Sequence, residues 1–482
     1  MAEAQLTAAL GEFGAIVGGT PQRTGDTFEV RSPFDHALLA LVHNARVAEI
    51  ERAIAAAAAA FPTTRALPSW KRSAILSAVA DALTARREEF ARVIALEAGK
   101  PIRTARLEVD RAAFVFKVGA EEARRIHGEI LSIDWLPGTE QREAYVRRVP
   151  LGPIAGITPF NFPLLLAAHK AAPAIAAGNP ILLRPGPRTP VSALRLGQLI
   201  LDAGWPADAL AVFACSIPDT ARLVEDDRIR LLSFTGSAAV GWNLKARAGR
   251  KRVTLELGGN AAVIVHQDAD VAYAAERIAL GGFSYAGQSC ISAQRIYVHA
   301  AVYDAFAGEI VQRADQLVAG DPLREDADLG PVIDTAAADR IGTWIDEAKA
   351  AGGRVLAGGT REGSVWRPTV IEGAPQNARV NCAEVFAPLV SLTRYENVHA
   401  AIAAANSGDF GLQAGIFTHD DRIVNAFIDG VEAGGLMIND SSTFRVDHMP
   451  YGGVKQSGFG REGLRYAIEE MTEMKLVVVN KR

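Results

Sequence analysis

Cysteine is scarce in this chain: Cys215, Cys290 and Cys382 are the only three in 482 residues. So odd and sparse a set gives no disulfide framework and fits a reducing compartment, and a cysteine that matters is expected to react rather than to staple. Charge of one sign is also missing. The 51 basic and 55 acidic residues are spread along the chain and leave a net −4. That balance offers no electrostatic footprint for nucleic acid or an anionic membrane, and it makes a small molecule the expected partner. Long apolar runs are absent too, each being broken well before membrane-spanning length. Met1, Ala2, Glu3 and Ala4 carry an early acid and no basic-then-apolar export pattern, so a cytoplasmic location is expected. No metal is expected.

What is present is apolar content, 49% over a length too great for one core, which predicts two or three domains. Over 69–97, Leu76, Val79, Leu83, Phe90 and Val93 recur at helical spacing and stop at Gly99, with Pro101 beyond; this predicts one amphipathic helix. The alanine run 55–60 sits in a similar helical stretch. Around Pro137-Gly138 the flanks 129–136 and 143–149 hold β-formers such as Ile130, Trp135, Tyr145 and Val146, predicting a projecting hairpin that suits an oligomer contact. Short apolar runs at 154–157, 180–183, 211–213, 231–234 and 261–265 then alternate with helical ones, the pattern of an α/β fold with parallel strands and crossover helices. The tail 475–479 reads as a last strand.

Cys290, in Gly287-Gln288-Ser289-Cys290, falls on a glycine-containing turn between a helical and a strand-like segment, where a thiol is exposed enough to react. Its thiolate is the nucleophile, and a thiol of ordinary pKa near ~8.5 needs a base, a cation or a helix end to ionise. Glu256 interrupts an apolar strand pattern just before Gly258 and Gly259, which let a ligand or backbone approach closely. Asn161 lies between Pro159-Phe160 and Phe162-Pro163, a stiff frame presenting one amide suited to an oxyanion. Read alone, each also fits a plainer part: an inert buried thiol, a solvated acid at a strand end, an asparagine closing a turn.

Two glycine motifs compete for phosphate. The literal G-x-G-x-x-G at 458–463 has no strand leading into it and is rejected. The better site is Phe234-Thr235-Gly236-Ser237-Ala238-Ala239-Val240-Gly241, which follows a predicted strand and opens a helix with Ser237 as its N-cap. An ordinary strand-to-helix turn would read the same way.

Asn161 in P-F-N-F-P, Glu256 in L-E-L-G-G and Cys290 in G-Q-S-C, in this order and at this spacing, resemble the aldehyde dehydrogenase superfamily. The likeness continues through F-T-G-S at 234–237, E-V-F-A-P at 384–388, Asn439 and P-Y-G-G-V-K-Q-S-G at 450–458, and so covers nearly the whole chain. It implies a Rossmann-like cofactor domain (1–128 and 150–256), an α/β catalytic domain (257–449), and a small β oligomerisation element from the hairpin 129–149 and the C-terminal segment 470–482 of a homodimer or homotetramer. It implies that Cys290 attacks an aldehyde, that Asn161 and the Cys290 N–H hold the oxyanion, and that Glu256 activates water to release the acid. NADP or NAD would take the hydride. By the same likeness Lys170 stands near Glu256. Glu384 and Phe386 contact the nicotinamide ribose, Ile157, Thr158 and Phe160 wall the cofactor channel, and Gly236, Ser237, Val240 and Leu257 complete the cofactor site.

The chain departs from the family where K-P-S-E or K-P-A-E is common and Arg184-Pro185-Gly186-Pro187 stands instead. A glutamate would hold ribose hydroxyls and repel a 2′-phosphate, whereas Arg184 can pair with phosphate and Pro187 repels nothing, so NADP is expected to be accepted. After Val212 the glycine pair of many relatives is replaced by Phe213-Ala214-Cys215-Ser216. The segments around His169, Glu256 and 444–453 resemble the lactaldehyde and non-phosphorylating glyceraldehyde-3-phosphate group. His169, Arg445 and His448 would then place positive charge near the pocket mouth, with Phe444 as a further substrate contact, for a small anionic or hydroxylated aldehyde; basic residues paired to acids such as Asp447 fit the sequence equally well. Two rivals remain, a CoA-acylating relative, against which Glu256 argues, and a non-catalytic protein on the same fold, against which the intact Cys, Glu and Asn set argues.

Overall fold

The structure, a computed structural model, describes residues 9–481; the expectation about residues 1–4 lies outside them. The alanine run falls in the helix Val47–Ala66, which buries Ile50, Ala53, Ile54 and Ala57 at helical spacing. The single helix expected over 69–97 is two, Ser69–Ala85 and Arg87–Ala98, separated at Arg86 (φ −107°, ψ 25°). The break is a charged one. Arg86 leaves helical geometry, and its guanidinium clasps Glu89 in the first turn of the next helix at 2.7 and 2.8 Å. Periodicity misses such a break because Leu83 and Phe90 are seven residues apart, two turns of an unbroken helix. Gly99, in the left-handed region at φ 65°, ends the second helix as expected.

Five parallel strands form the heart of an eight-stranded sheet. From Ile154–Ile157 the chain steps outward to Ile181–Arg184 and Leu210–Val212, then returns to the other side for Leu231–Thr235 and Arg252–Glu256. The direction reverses between Ile154–Ile157 and Leu231–Thr235, the kind of switch point whose carboxyl-end loops diverge into a ligand crevice. All but Arg252 of these strand residues are buried, which explains their continuous apolar runs. The rejected glycine motif does begin in a strand, contrary to the sequence reading. Gly458–Phe459 pairs with Arg252–Glu256 at the sheet edge, but antiparallel, so it is not the strand of a phosphate-binding turn.

A second, seven-stranded sheet runs in the order Arg354–Ala357, Thr369–Glu372, Leu389–Tyr395, Ala293–His299, Ala261–Val265, Gln413–Phe417, Gly435–Ile438. All its pairings are parallel except the first. Asn439 ends its last strand at φ 54°, with its side chain accepting from the Thr418 N–H at 3.0 Å.

The hairpin is present, with an outgoing strand shorter than expected: Glu129–Leu131 rather than 129–136. Beyond Leu131, side chains take over the turn. The Gly138 N–H donates to the Glu140 carboxylate, and the Thr139 hydroxyl donates to Leu136 O at 2.6 Å. The return strand Arg142–Pro150 finds its main partner in the C-terminal Thr472–Asn480, paired along its whole length. This three-stranded sheet exposes Ile130 (92%), Met474 and Leu476 on its strands and Trp135 (84%) on the turn. Among the described residues no helix is long and apolar enough to cross a membrane.

Candidate active site

The carboxyl edge of the eight-stranded sheet supplies side chains. After Ile157, Thr158 is buried with its hydroxyl unpartnered. Phe160 packs edge-on against Phe386 at 5.9 Å. Asn161 is buried, and its Nδ2 donates to Gln288 O at 3.0 Å, leaving one amide hydrogen for a ligand. Pro163 then opens the helix Pro163–Ala177 at a position where its missing N–H costs nothing. On that helix Lys170 is fully buried, donating to Ser233 Oγ (3.0 Å), Thr235 Oγ1 (2.9 Å) and Glu462 Oε1 (3.4 Å). Burial pulls its pKa down against the pull of Glu462 and Glu256. Glu256 closes its strand. Neither carboxylate oxygen has a hydrogen-bond partner, and burial, reinforced by the Glu462 charge, pushes its pKa well above the usual carboxylate range. An unpaired buried acid of this kind takes a proton more readily than a solvated carboxylate, as a general base requires.

The amino edge of the seven-stranded sheet supplies backbone. Cys290 lies just before Ala293–His299, half-buried, with Sγ 3.0 Å from the Tyr451 hydroxyl. Burial pushes the thiol up to about 12 despite that contact, so it is neutral at rest. The backbone of Gly259 lies so close that a Cβ there would stand 2.0 Å from Cys290 O. The N–H of Gly259 also donates to Glu384 Oε1 at 2.9 Å. Burial of the Glu384 carboxyl lifts it to about 7. Next to it Phe386 is held at φ 54°. A cavity of about 550 Å³ lies between the two edges, and Asn161, Glu256, Cys290, Glu384 and Phe386 all line it.

Of the other expected residues, Phe160, Gly236, Ser237, Leu257, Phe444 and Arg445 also line this cavity, and Ile157 ends its strand one residue before Thr158. Ser237 is the N-cap of the helix Ala238–Arg247; its side chain makes no capping bond, and Val240 is exposed on the first turn. Arg184 is buried, donating through Nη2 to Cys215 O at 3.2 Å while its Nε has no partner; Pro187 is exposed. Arg445 lies over the Tyr451 ring at 3.6 Å, with Nε also unpartnered.

Two expectations fail. His169 is not at the pocket mouth: it is buried with Nε2 3.0 Å from Asp447, and burial lowers its pKa against that partner. His448 is exposed, packs edge-on against Phe114 at 6.0 Å, and does not line the cavity. Asp447 explains the first failure, because it is buried and draws both His169 and Arg111 (2.7 Å) inward. The sequence reading assigned no role to Tyr451, Glu462 or Arg111. Tyr451 and Glu462 sat within motifs already quoted, whereas nothing local marks Arg111.

The family model described as "Aldehyde dehydrogenase family" matches residues 20–477. A 3-sulfolactaldehyde dehydrogenase of Priestia aryabhattai is 42% identical over 470 residues, covering 97% of this chain and 98% of that protein. Aldehyde dehydrogenase 21 of Physcomitrella patens, crystallised in complex with its reaction product succinate, superposes with a TM-score of 0.96 at 41% identity over 98% of each chain. The glyceraldehyde-3-phosphate dehydrogenase GapN of Methanocaldococcus jannaschii, complexed with NADP, gives a TM-score of 0.91 at 36% identity over 95% of this chain and 99% of that one. With the thiol, the amide and the unpaired acid gathered at one cavity, these matches establish that the chain belongs to the aldehyde dehydrogenase family.

Proposed function

We propose that this enzyme oxidises a small anionic aldehyde to the carboxylic acid through a thioester on Cys290, with NADP or NAD as co-substrate. The observation that carries this reading is the unpaired Glu256 carboxylate facing the same cavity as Cys290. Cys290 gives its thiol proton to water in the cavity as Sγ adds to the carbonyl carbon, and the free amide hydrogen of Asn161 with the Cys290 N–H holds the oxyanion. NADP or NAD, held by the residues named below, would supply the hydride acceptor. Glu256 then takes a proton from water as it attacks the thioester, and Lys170 and Glu462 behind it tune how readily it does so. CoA-dependent product formation would point instead to acyl transfer.

Residues lining the cavity and its neighbours on the carboxyl edge suit a dinucleotide. Ser237 offers an uncommitted side chain at a helix N-terminus suited to a pyrophosphate. Gly258 leaves room beside Glu384, where a Cβ would come 2.5 Å from Oε2. The orphaned Nε of Arg184 is a donor for an adenosine phosphate, with Pro187 in place of a repelling acid. Thr158, Phe160, Phe386 and Leu257 would flank the nicotinamide end, with Ile157 and Val240 behind. For the substrate, Arg445 brings a buried cation with a spare donor to the cavity, and Phe444 adds an apolar wall. The sulfolactaldehyde, succinate and glyceraldehyde-3-phosphate named for the three relatives above are all anionic.

We keep the domain plan 1–128 with 150–256, 257–449, and 129–149 with 470–482 as a proposal, supported by the eight-stranded, seven-stranded and C-terminal three-stranded sheets, with Gly458–Phe459 as a late edge strand of the first. The exposed apolar residues of the three-stranded sheet support a homodimer or homotetramer, and three free cysteines support a cytoplasmic setting. The test is reduced-nicotinamide absorbance with NAD and NADP in parallel across sulfolactaldehyde, succinic semialdehyde, glyceraldehyde-3-phosphate, lactaldehyde, and long apolar aldehydes. Turnover of the anionic members is expected. Activity confined to the apolar ones, or none despite cofactor binding, overturns the reading.

A further inference from the structure

Lys100 follows Gly99 and has no solvent exposure. Its ammonium pairs with the equally buried Glu108, and the proposed chemistry uses neither. The same ammonium lies 3.6 Å from the centroid of Phe162 and 4.3 Å from that of Tyr285, two rings that meet edge-on at 5.8 Å. Each ring begins one half of the site. Phe162 follows Asn161 and caps the helix Pro163–Ala177, whose first N–H groups, Leu164 and Leu165, donate to Glu108 Oε1 at 3.1 and 3.2 Å. Tyr285 starts the turn into Cys290. It stands at φ 51°, followed by Ala286 at 52° and Gly287 at 67°. A tyrosine and an alanine in succession in the left-handed region are sterically costly, and they persist only where the surroundings over-determine them. The surroundings here are the Lys100 ammonium against the ring and the Tyr285 hydroxyl donating to Ala98 O at 3.1 Å.

We infer that Lys100 is a positioning residue that couples the two halves of the site, one ammonium holding the ring beside the oxyanion amide and the ring that opens the nucleophile turn. A desolvated cation is drawn to the faces of both rings at once. Glu108 neutralises it and ties it to the N-terminus of the helix behind Asn161. The spacing of Cys290 and Asn161 is thereby set by a group that touches neither. The inference rests on the roles proposed for those two residues.

The test separates ring from hydroxyl and charge from fold. Tyr285→Leu removes the ring and leaves the Lys100–Glu108 pair intact, whereas Tyr285→Phe keeps the ring and loses only the hydroxyl. Lys100→Met/Glu108→Gln removes both charges together, so no buried charge is stranded, and retains an acceptor for Leu164 and Leu165. In Tyr285→Leu and in the double variant, kcat is expected to fall at least tenfold with aldehyde KM and cofactor Kd within threefold of the parent. Alkylation of Cys290 by iodoacetamide should accelerate several-fold as the turn relaxes. Tyr285→Phe should keep at least tenfold more kcat than Tyr285→Leu. Equal losses in the two Tyr285 variants, or a kcat within threefold of the parent in a folded Tyr285→Leu, overturn the inference. A parent that turns over no aldehyde sinks the proposed function instead, and the alkylation rates then test Lys100 alone.

Discussion

The two large sheets face the same cavity with opposite ends. The eight-stranded sheet offers its carboxyl edge, where Thr158, Arg184, Thr235 and Glu256 stand in or just beyond the last pair of each strand ladder. The seven-stranded sheet offers its amino edge, where Gly259, Cys290 and Phe386 precede their strands. The first edge presents side chains, and those of Thr158, Arg184 and Glu256 keep polar atoms without partners. The second presents closely packed or bent main chain, with Phe386 at φ 54° and Cys290 as its thiol. The difference is one of failure mode: the first edge is disabled by taking atoms away, the second by adding them.

The sharpest break of the first edge is Glu256→Gln, which keeps the shape and removes the base. Its kcat should fall by about 10³, with the acyl group accumulating on Cys290; intact-mass spectrometry during turnover reads it, and undiminished turnover would contradict the role. The parent's own pH profile belongs with this variant. Because burial raises the Glu256 pKa, deacylation is lost as pH falls through that raised value. Because the Cys290 thiol sits near about 12, the thiolate fraction should climb with pH across the neutral range. Activity should therefore rise steadily from acid to alkaline pH.

For the second edge the matching break is Gly259→Ala. One methyl at 2.0 Å from Cys290 O has to displace the nucleophile turn, and a shift of about 1 Å is worth about 10² in rate. Stopped-flow acylation of a folded variant checks it, and a rate near the parent's would show that the turn is slack. The smallest expected effect returns to the first edge. Arg184→Ala should lower the NADP-to-NAD ratio of kcat/KM by about tenfold, about 1.4 kcal/mol of lost phosphate contact. An unchanged ratio would place 2′-phosphate recognition elsewhere.

This contrast also accounts for what the sequence could tell. The helix opening at Gly236-Ser237 was legible because an apolar strand running into a glycine-serine turn is a local pattern. Glu256, Cys290 and Asn161 stood out only in company, through the order and spacing of their motifs. The left-handed run from Tyr285 was invisible, since Tyr and Ala carry no mark of positive φ and only tertiary contact imposes it. His169 and His448 show the converse error. Their charge suggested a surface, but alternation past Arg445 turned Asp447 inward and His448 out, and a buried acid then claimed His169. The break at Arg86 hid behind a seven-residue step, and the short hairpin strand hid behind β-formers that end up in the turn.

The edge strand Gly458–Phe459 sets Gly458 opposite Glu256, while Tyr451 meets the Cys290 thiol and the Glu462 charge helps raise the Glu256 pKa. All three stand far from Cys290 in sequence, Tyr451 by 161 residues and the other two by more. A fragment cut ahead of Tyr451 would therefore keep the thiol and lose the neighbours that surround it, so the site is a property of the whole folded chain rather than of the segment that carries its sulfur.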